Sequence, residues 1–194
     1  MTMIKSDLQP TRHVCPWWYA YTFDNALRRW LQRPEKLLAP YIESGMTVLD
    51  IGCGMGVFSI PLARMVGPKG RVIAADLQPQ MLRVLTTRAR RALPEELFIV
   101  IHPHQCQSES IGYSGVVDFA LAFNMVHETP DSQQFLQQIF ALLKSGSRFF
   151  VAEPLFHVTP EQINETIASA GKAGFELLDR PRVRFSHAMV FRRP

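Results

Sequence analysis

Cysteine is scarce in this chain. Cys15, Cys53 and Cys106 are its three, an odd number without the paired spacing of a zinc finger or a disulfide framework. No metal site is expected, and the thiols fit a reducing cytoplasm. Long apolar runs are missing too: none approaches the ~20 residues that a bilayer-spanning helix needs. The first residues, with Lys5, Asp7, Arg12 and His13, contain no signal-peptide core, so the expected location is cytoplasmic with no membrane span. A net charge of +4 and a pI near 9.2 point towards nucleic acid, but a long Lys/Arg block is lacking. The basic residues are scattered over Arg28/Arg29, Arg88/Arg90/Arg91 and Arg180, Arg182, Arg184, Arg192 and Arg193, without interleaved aromatics. Nucleic acid is therefore not the expected partner. Internal repeats and low-complexity linkers are also absent. What remains is an ordinary globular composition, 194 residues with 47% hydrophobic and 20% charged, enough for one domain with a sizeable core.

One stretch organises the rest. Thr47-Val48-Leu49-Asp50-Ile51-Gly52-Cys53-Gly54-Met55-Gly56 is an apolar run that ends in an acid and breaks into alternating glycines. Val57 to Val66 follows with helical apolar spacing. Strand, glycine loop and helix in that order form a nucleotide-binding half of an α/β sheet. The loop lets a ligand approach main-chain atoms, and the helix start favours an anionic group. A dinucleotide loop reads G-x-G-x-x-G, whereas this one reads D-x-G-x-G-x-G. A second acid, Asp76, ends the next apolar run, 24 residues beyond Gly52, about where an acid reaches ribose hydroxyls in doubly wound folds.

These two stretches resemble motifs I and II of the class I S-adenosylmethionine-dependent methyltransferases, and among them the small ubiquinone/menaquinone-type and "type 11" enzymes. The resemblance is specific from about Thr47 to Met81 and looser, but in order, through Ala173. It implies an α/β fold: a three-layer α/β/α Rossmann-like sandwich on a mostly parallel seven-stranded sheet, the last strand antiparallel. It implies S-adenosylmethionine as cofactor and S-adenosylhomocysteine as product. Asp50, Gly52, Cys53, Gly54 and Gly56 would hold the methionine part, with Asp50 on its ammonium and Asp76 on the ribose hydroxyls. Leu77 and Met81 would sandwich the adenine, and Phe123 and Asn124 would close the cofactor site. Many members carry an acid after the third strand for the adenine amino group. Here the sequence is His102-Pro103-His104-Gln105-Cys106-Gln107-Ser108-Glu109, which leaves Gln105, Cys106, Gln107 or Glu109 for that place. His102, His104 and Cys106 alternate and would share a face in an extended chain, although loop residues beside a pocket explain them equally.

Elsewhere the pattern predicts a helix from Pro34 to Ile42, one from Pro79 to about Ala92 and a buried strand over Leu97–Ile101. Val116–Phe123 is a fourth strand, and a helix from Ser132 to Leu143 is capped by Asp131. Lys144-Ser145-Gly146 ends that helix before a strand at Arg148–Ala152. A further helix begins at Pro160, and two final strands follow. His127, just past the fourth strand, can act as a base at neutral pH or merely cap the next helix. Glu153 lies at the same carboxyl edge, where it can face substrate. Residues 1–33 form a separate aromatic-rich cap before a single domain spanning 34–194. Five aromatics fall within the seven positions 17–23, and Trp18, Tyr19 and Tyr21 are candidate substrate contacts, since aromatic faces suit a sulfonium. The same rings equally suit packing onto the sheet.

The expected function is methyl transfer to a nucleophilic atom of a small-molecule acceptor, in a pocket closed by residues 13–33 or by a second subunit of a homodimer, or left open to a larger acceptor. RNA or protein methylation is the alternative within enzymes. Asn124 is not followed by the prolines of the amino-methylating subclass, which argues against one version of it. A non-catalytic, cofactor-binding regulatory partner is the alternative outside them.

Overall fold

Val48 and Leu49 are both buried although they point to opposite sides of one strand, so that strand must be covered on both faces. The computed structural model, which describes residues 32–194, places it at the centre of the sheet. The strands are β1 (Thr47–Ile51), β2 (Arg71–Asp76), β3 (Ile101–Gln105), β4 (Val117–Phe123), β5 (Leu143–Pro154), β6 (Glu176–Asp179), β7 (Arg182–Val183) and β8 (Ser186–Arg192). The helices are α1 (Pro34–Leu38), α2 (Ser59–Val66), α3 (Pro79–Ala92), α4 (Glu95–Phe98), α5 (Ser132–Leu142) and α6 (Pro160–Ala173).

The sheet runs β3-β2-β1-β4-β5-β8-β6, with the short β7 paired to β8. Neighbours from β3 to β5 are parallel, and β8 is antiparallel to β5, β6 and β7. Alternating side chains feed two cores. Val48, Phe119, Phe150 and Val190 pack with Leu38, Leu62, Val66 and Leu85 on the α1–α3 face. Leu49, Ala120, Phe149 and Met189 pack with Leu136, Ile139 and Ile163 on the α5–α6 face. This is the expected three-layer sandwich, and the chain order reverses between β1 and β4, where open α/β sheets bind ligands.

Four elements differ from expectation. The predicted helix 34–42 stops at Leu38, because Pro40 has no N–H to give the Lys36 carbonyl and the chain turns instead. The apolar run Leu97–Ile101 is not the third strand. Pro94 with Glu95 and Glu96 starts the short helix α4 there, Arg90 lies 4.5 Å over the Phe98 ring, and the strand begins at Ile101. Pro103 thus sits within β3, an edge strand, where a missing N–H is tolerated. The fifth strand begins at Leu143 and not at Arg148, and Lys144-Ser145-Gly146 bulges out of the β4 register between them, with Gly146 at φ 79°. Helix α5 ends against a side chain, since Arg193 Nη1 donates to the carbonyls of Phe140 (2.8 Å) and Leu143. The stretch from Val183 to Phe191 is two strands and not one, broken at Phe185 with φ 59°, which brings the sheet to eight. No described helix is long and apolar enough to cross a membrane.

Candidate functional site

The carboxyl ends of β1, β2 and β4 meet at the reversal point. Asp50 and Ile51 finish β1, and the chain then turns through the glycines, anchored because the N–H groups of Gly52 and Cys53 both donate to Ala75 O (2.9 and 3.0 Å). Gly52 has φ +70°, and a Cβ there would lie 2.8 Å from Met125 Cγ. The loop after β1 therefore touches the segment after β4. Gly54 has φ +52° and nothing within 4 Å of a would-be Cβ. Open space therefore lies beside its α-carbon. Gly56 closes the turn by donating to Cys53 O (3.0 Å).

Two acids stand under this loop. Asp50 is 2% exposed and accepts from Ser59 Oγ at 2.5 Å. Burial pushes its carboxyl up to about 7, with the Asp76 charge adding to the rise and the Ser59 bond opposing it. Asp76 ends β2, where Oδ2 accepts from Gly54 N–H and Oδ1 from Gln78 N–H, each at 2.9 Å. Burial raises it too, against those hydrogen bonds. Leu77 N–H also bonds this carboxylate, whose two oxygens together can accept one donor more. Burial pushes the Cys53 thiol well up and the Cys106 thiol up to about 11, so both are neutral thiols at physiological pH.

Around this centre, Leu77 follows Asp76 and Met81 is buried at the start of α3. Gln105 ends β3 opposite Asp76, and Cys106 N–H donates to Asp76 O (3.1 Å). Phe123, at the end of β4, packs its ring 4.5 Å from that of Phe58. Asn124 takes a left-handed φ of 58° and donates its N–H to Ala152 O (2.7 Å). Its buried Oδ1 has no hydrogen-bond partner, which calls for a donor from a ligand or a water. His104 is tied down elsewhere, with Nε2 2.7 Å from Ile111 O, and among the described residues no three His, Cys, Asp or Glu converge as metal donors. Trp18, Tyr19 and Tyr21 lie outside the described residues.

At the β4–β5 edge the arrangement is one that sequence spacing did not anticipate. Val126–Glu128 forms a single 3-10 turn, which swings His127 back over the end of β5. There His127 Nδ1 meets Glu153 Oε2. Glu153 is 1% exposed, and its other oxygen accepts from Val126 N–H at 2.9 Å. Glu153 is on the expected edge, but its carboxylate is directed into the protein. Ser59, Met125 and this His127–Glu153 pair escaped sequence reading. Only the common position of Asn124–Glu128 and Glu153 past two adjacent strands hinted at the pair. Beyond Glu153 the rim is apolar: Phe156 is 82% exposed, Leu155 and Phe185 are also exposed, and His157 lies 6.5 Å from His127, ring to ring.

Comparison with known proteins agrees with this layout. A family profile described as "Methyltransferase domain" matches residues 42–176. The chain is 33% identical over 134 residues to the ubiquinone biosynthesis O-methyltransferase of Methylobacterium sp. (strain 4-46), covering 69% of this chain and 49% of that protein. It is 32% identical over 111 residues to the demethylmenaquinone methyltransferase of Lactococcus lactis subsp. lactis (strain IL1403), covering 57% of this chain and 42% of that one. The chain thus spans about half the length of these curated relatives or less. Among solved structures, a SAM dependent methyltransferase from Aquifex aeolicus superposes with a TM-score of 0.82 at 22% identity, over 93% of this chain and 100% of that one.

Proposed function

Because the chain belongs to the methyltransferase-domain family, we propose that it transfers a methyl group from S-adenosylmethionine to a nucleophilic atom of a small-molecule acceptor. The observation that carries this reading is the convergence, at the sheet's reversal point, of the open face of Gly54, the Asp76 carboxylate and the unpartnered Oδ1 of Asn124. These groups fit the cofactor: open space beside main chain, a carboxylate with room for a further donor, and a buried acceptor in need of a donor.

When bound, the cofactor supplies a methyl carbon already activated by a positive sulfur. The chain's own residues bind and orient. The Gly52–Gly56 loop would hold the methionine part, Asp50 its ammonium and Asp76 the ribose hydroxyls. Leu77 and Met81 would flank the adenine, with Gln105 and Cys106 at its edge and Phe123 and Asn124 closing the cofactor site. His127, past the end of β4, removes the proton that the acceptor atom must lose. In this reading the apolar rim of Leu155, Phe156 and Phe185 receives the acceptor's carbon body, and residues 34–194 act as a single methyltransferase domain.

Calorimetric titration with S-adenosylhomocysteine, with NAD as control, tests the reading. The expected result is a dissociation constant of about micromolar, a loss of about tenfold or more in Asp76→Ala, and no heat with NAD. A folded wild type that takes up no S-adenosylhomocysteine would overturn it.

A further inference from the structure

We propose that Glu153 is the positioning residue of His127: its buried carboxylate takes the Nδ1–H of the imidazole, so that Nε2 is the nitrogen left to accept a proton. This deepens the reading above and rests on it where the proton's source is concerned. The geometry itself needs no ligand.

Three observations carry it. First, His127 Nδ1 is in hydrogen-bond contact with Glu153 Oε2. Second, Glu153 Oε1 accepts the Val126 N–H at 2.9 Å. That bond fixes the rotation of the carboxylate and gives an ionised acid a donor in a place that is 1% exposed. Third, two lone pairs cannot face each other across this contact, so a hydrogen lies between the two atoms, and imidazole, the more basic group, holds it on Nδ1. In neutral imidazole the other nitrogen is then the base. Nε2 lies on the far side of the ring from Glu153 and 3.9 Å from Glu128 Oε1. A base assembled this way needs no rearrangement before it accepts a proton, and the carboxylate stabilises the imidazolium that forms.

The pairing also has a precise chemical weak point. In Glu153→Gln the Val126 N–H still requires an oxygen, which the amide carbonyl supplies. The amide NH2 is thereby turned towards Nδ1 and can only donate. Nδ1 becomes the acceptor, the hydrogen moves to Nε2, and the base is lost although shape and volume are kept.

Long-range proton–nitrogen correlation spectra of the histidine rings read the tautomer directly, without an acceptor. His127→Gln identifies the signal among the six histidines. Among the described residues Glu153, Glu128 and His157 face His127, so Glu128→Gln serves as the charge control. The expected wild-type spectrum above the ring's titration shows hydrogen on Nδ1. In Glu153→Gln the hydrogen swaps to Nε2, while Glu128→Gln keeps the Nδ1–H form. A wild type with hydrogen on Nε2 would overturn the proposal, whether or not any variant folds. So would a Glu153→Gln protein whose tautomer matches the wild type. S-adenosylhomocysteine titration of the same samples separates this test from that of the overall function, because cofactor binding is expected to survive in Glu153→Gln.

Discussion

A carboxyl that keeps its proton to about 7 makes Asp50 a liability to the empty fold. Unfolded, it ionises near its ordinary value of about 3.9. Between those two limits the folded state holds the extra proton, so the contribution of Asp50 falls as pH rises from about 4 to about 7, then levels off. Asp76 is raised as well and works in the same direction. Asp50→Asn keeps an acceptor for Ser59 and removes the charge. Its stability relative to wild type is therefore expected to be higher at pH 8 than at pH 5, measured by urea denaturation at both. Equal differences at the two values would clear Asp50 of the effect. The same change should weaken S-adenosylhomocysteine, because the acid proposed to face its ammonium is gone. Stability gained and affinity lost in one substitution is the mark of a residue kept for binding.

At the level of elements, the glycine loop separates packing from binding. Both Gly52 and Gly54 have positive φ, so alanine at either is expected to cost about 1–2 kcal/mol of backbone strain. At Gly52 the new Cβ also meets Met125 at 2.8 Å, so the β4 edge must shift; at Gly54 it meets nothing. Gly52→Ala is thus expected to lose more stability than Gly54→Ala in thermal unfolding. Gly54→Ala is expected to remain folded yet bind S-adenosylhomocysteine at least about tenfold more weakly, since its methyl enters ligand space. Equal affinity of Gly54→Ala and wild type would show that the ligand does not use that space. Sequence alone located this loop, because strand, acid and glycines are consecutive. It also located α3 and the cap at Asp131, where local chemistry decides. It misplaced the third strand, where an apolar run and a proline–acid helix start overlapped at Leu93–Ile101, and only the β2 edge selects the register. The His127–Glu153 pair was illegible for another reason. Its partners are 26 residues apart and joined by a 3-10 turn that no periodicity announces.

Across the whole molecule, the two cores depend on strands distant in sequence. β8 supplies Val190 to one face and Met189 to the other. A chain stopped after Asp179 would leave β5 without its antiparallel neighbour and α5 without the Arg193 bonds to its last carbonyls. Such a chain is expected to show no cooperative thermal transition by circular dichroism. A sharp transition would mean that β1–β5 with their helices are stable alone. The sandwich, its mostly parallel sheet and the antiparallel final strand were accessible from the sequence through its family resemblance; the strand order was not. The extra strand β7 was not, because its end is set by a single left-handed residue, Phe185.

The place of β8 inside the sheet also has a consequence in time. During synthesis the glycine loop and both acids emerge more than a hundred residues before the strand that completes the sheet they belong to. Until residue 192 leaves the ribosome, β5 presents an unpaired, apolar edge. The nascent chain is therefore one that a holding chaperone would recognise until β8 joins the sheet.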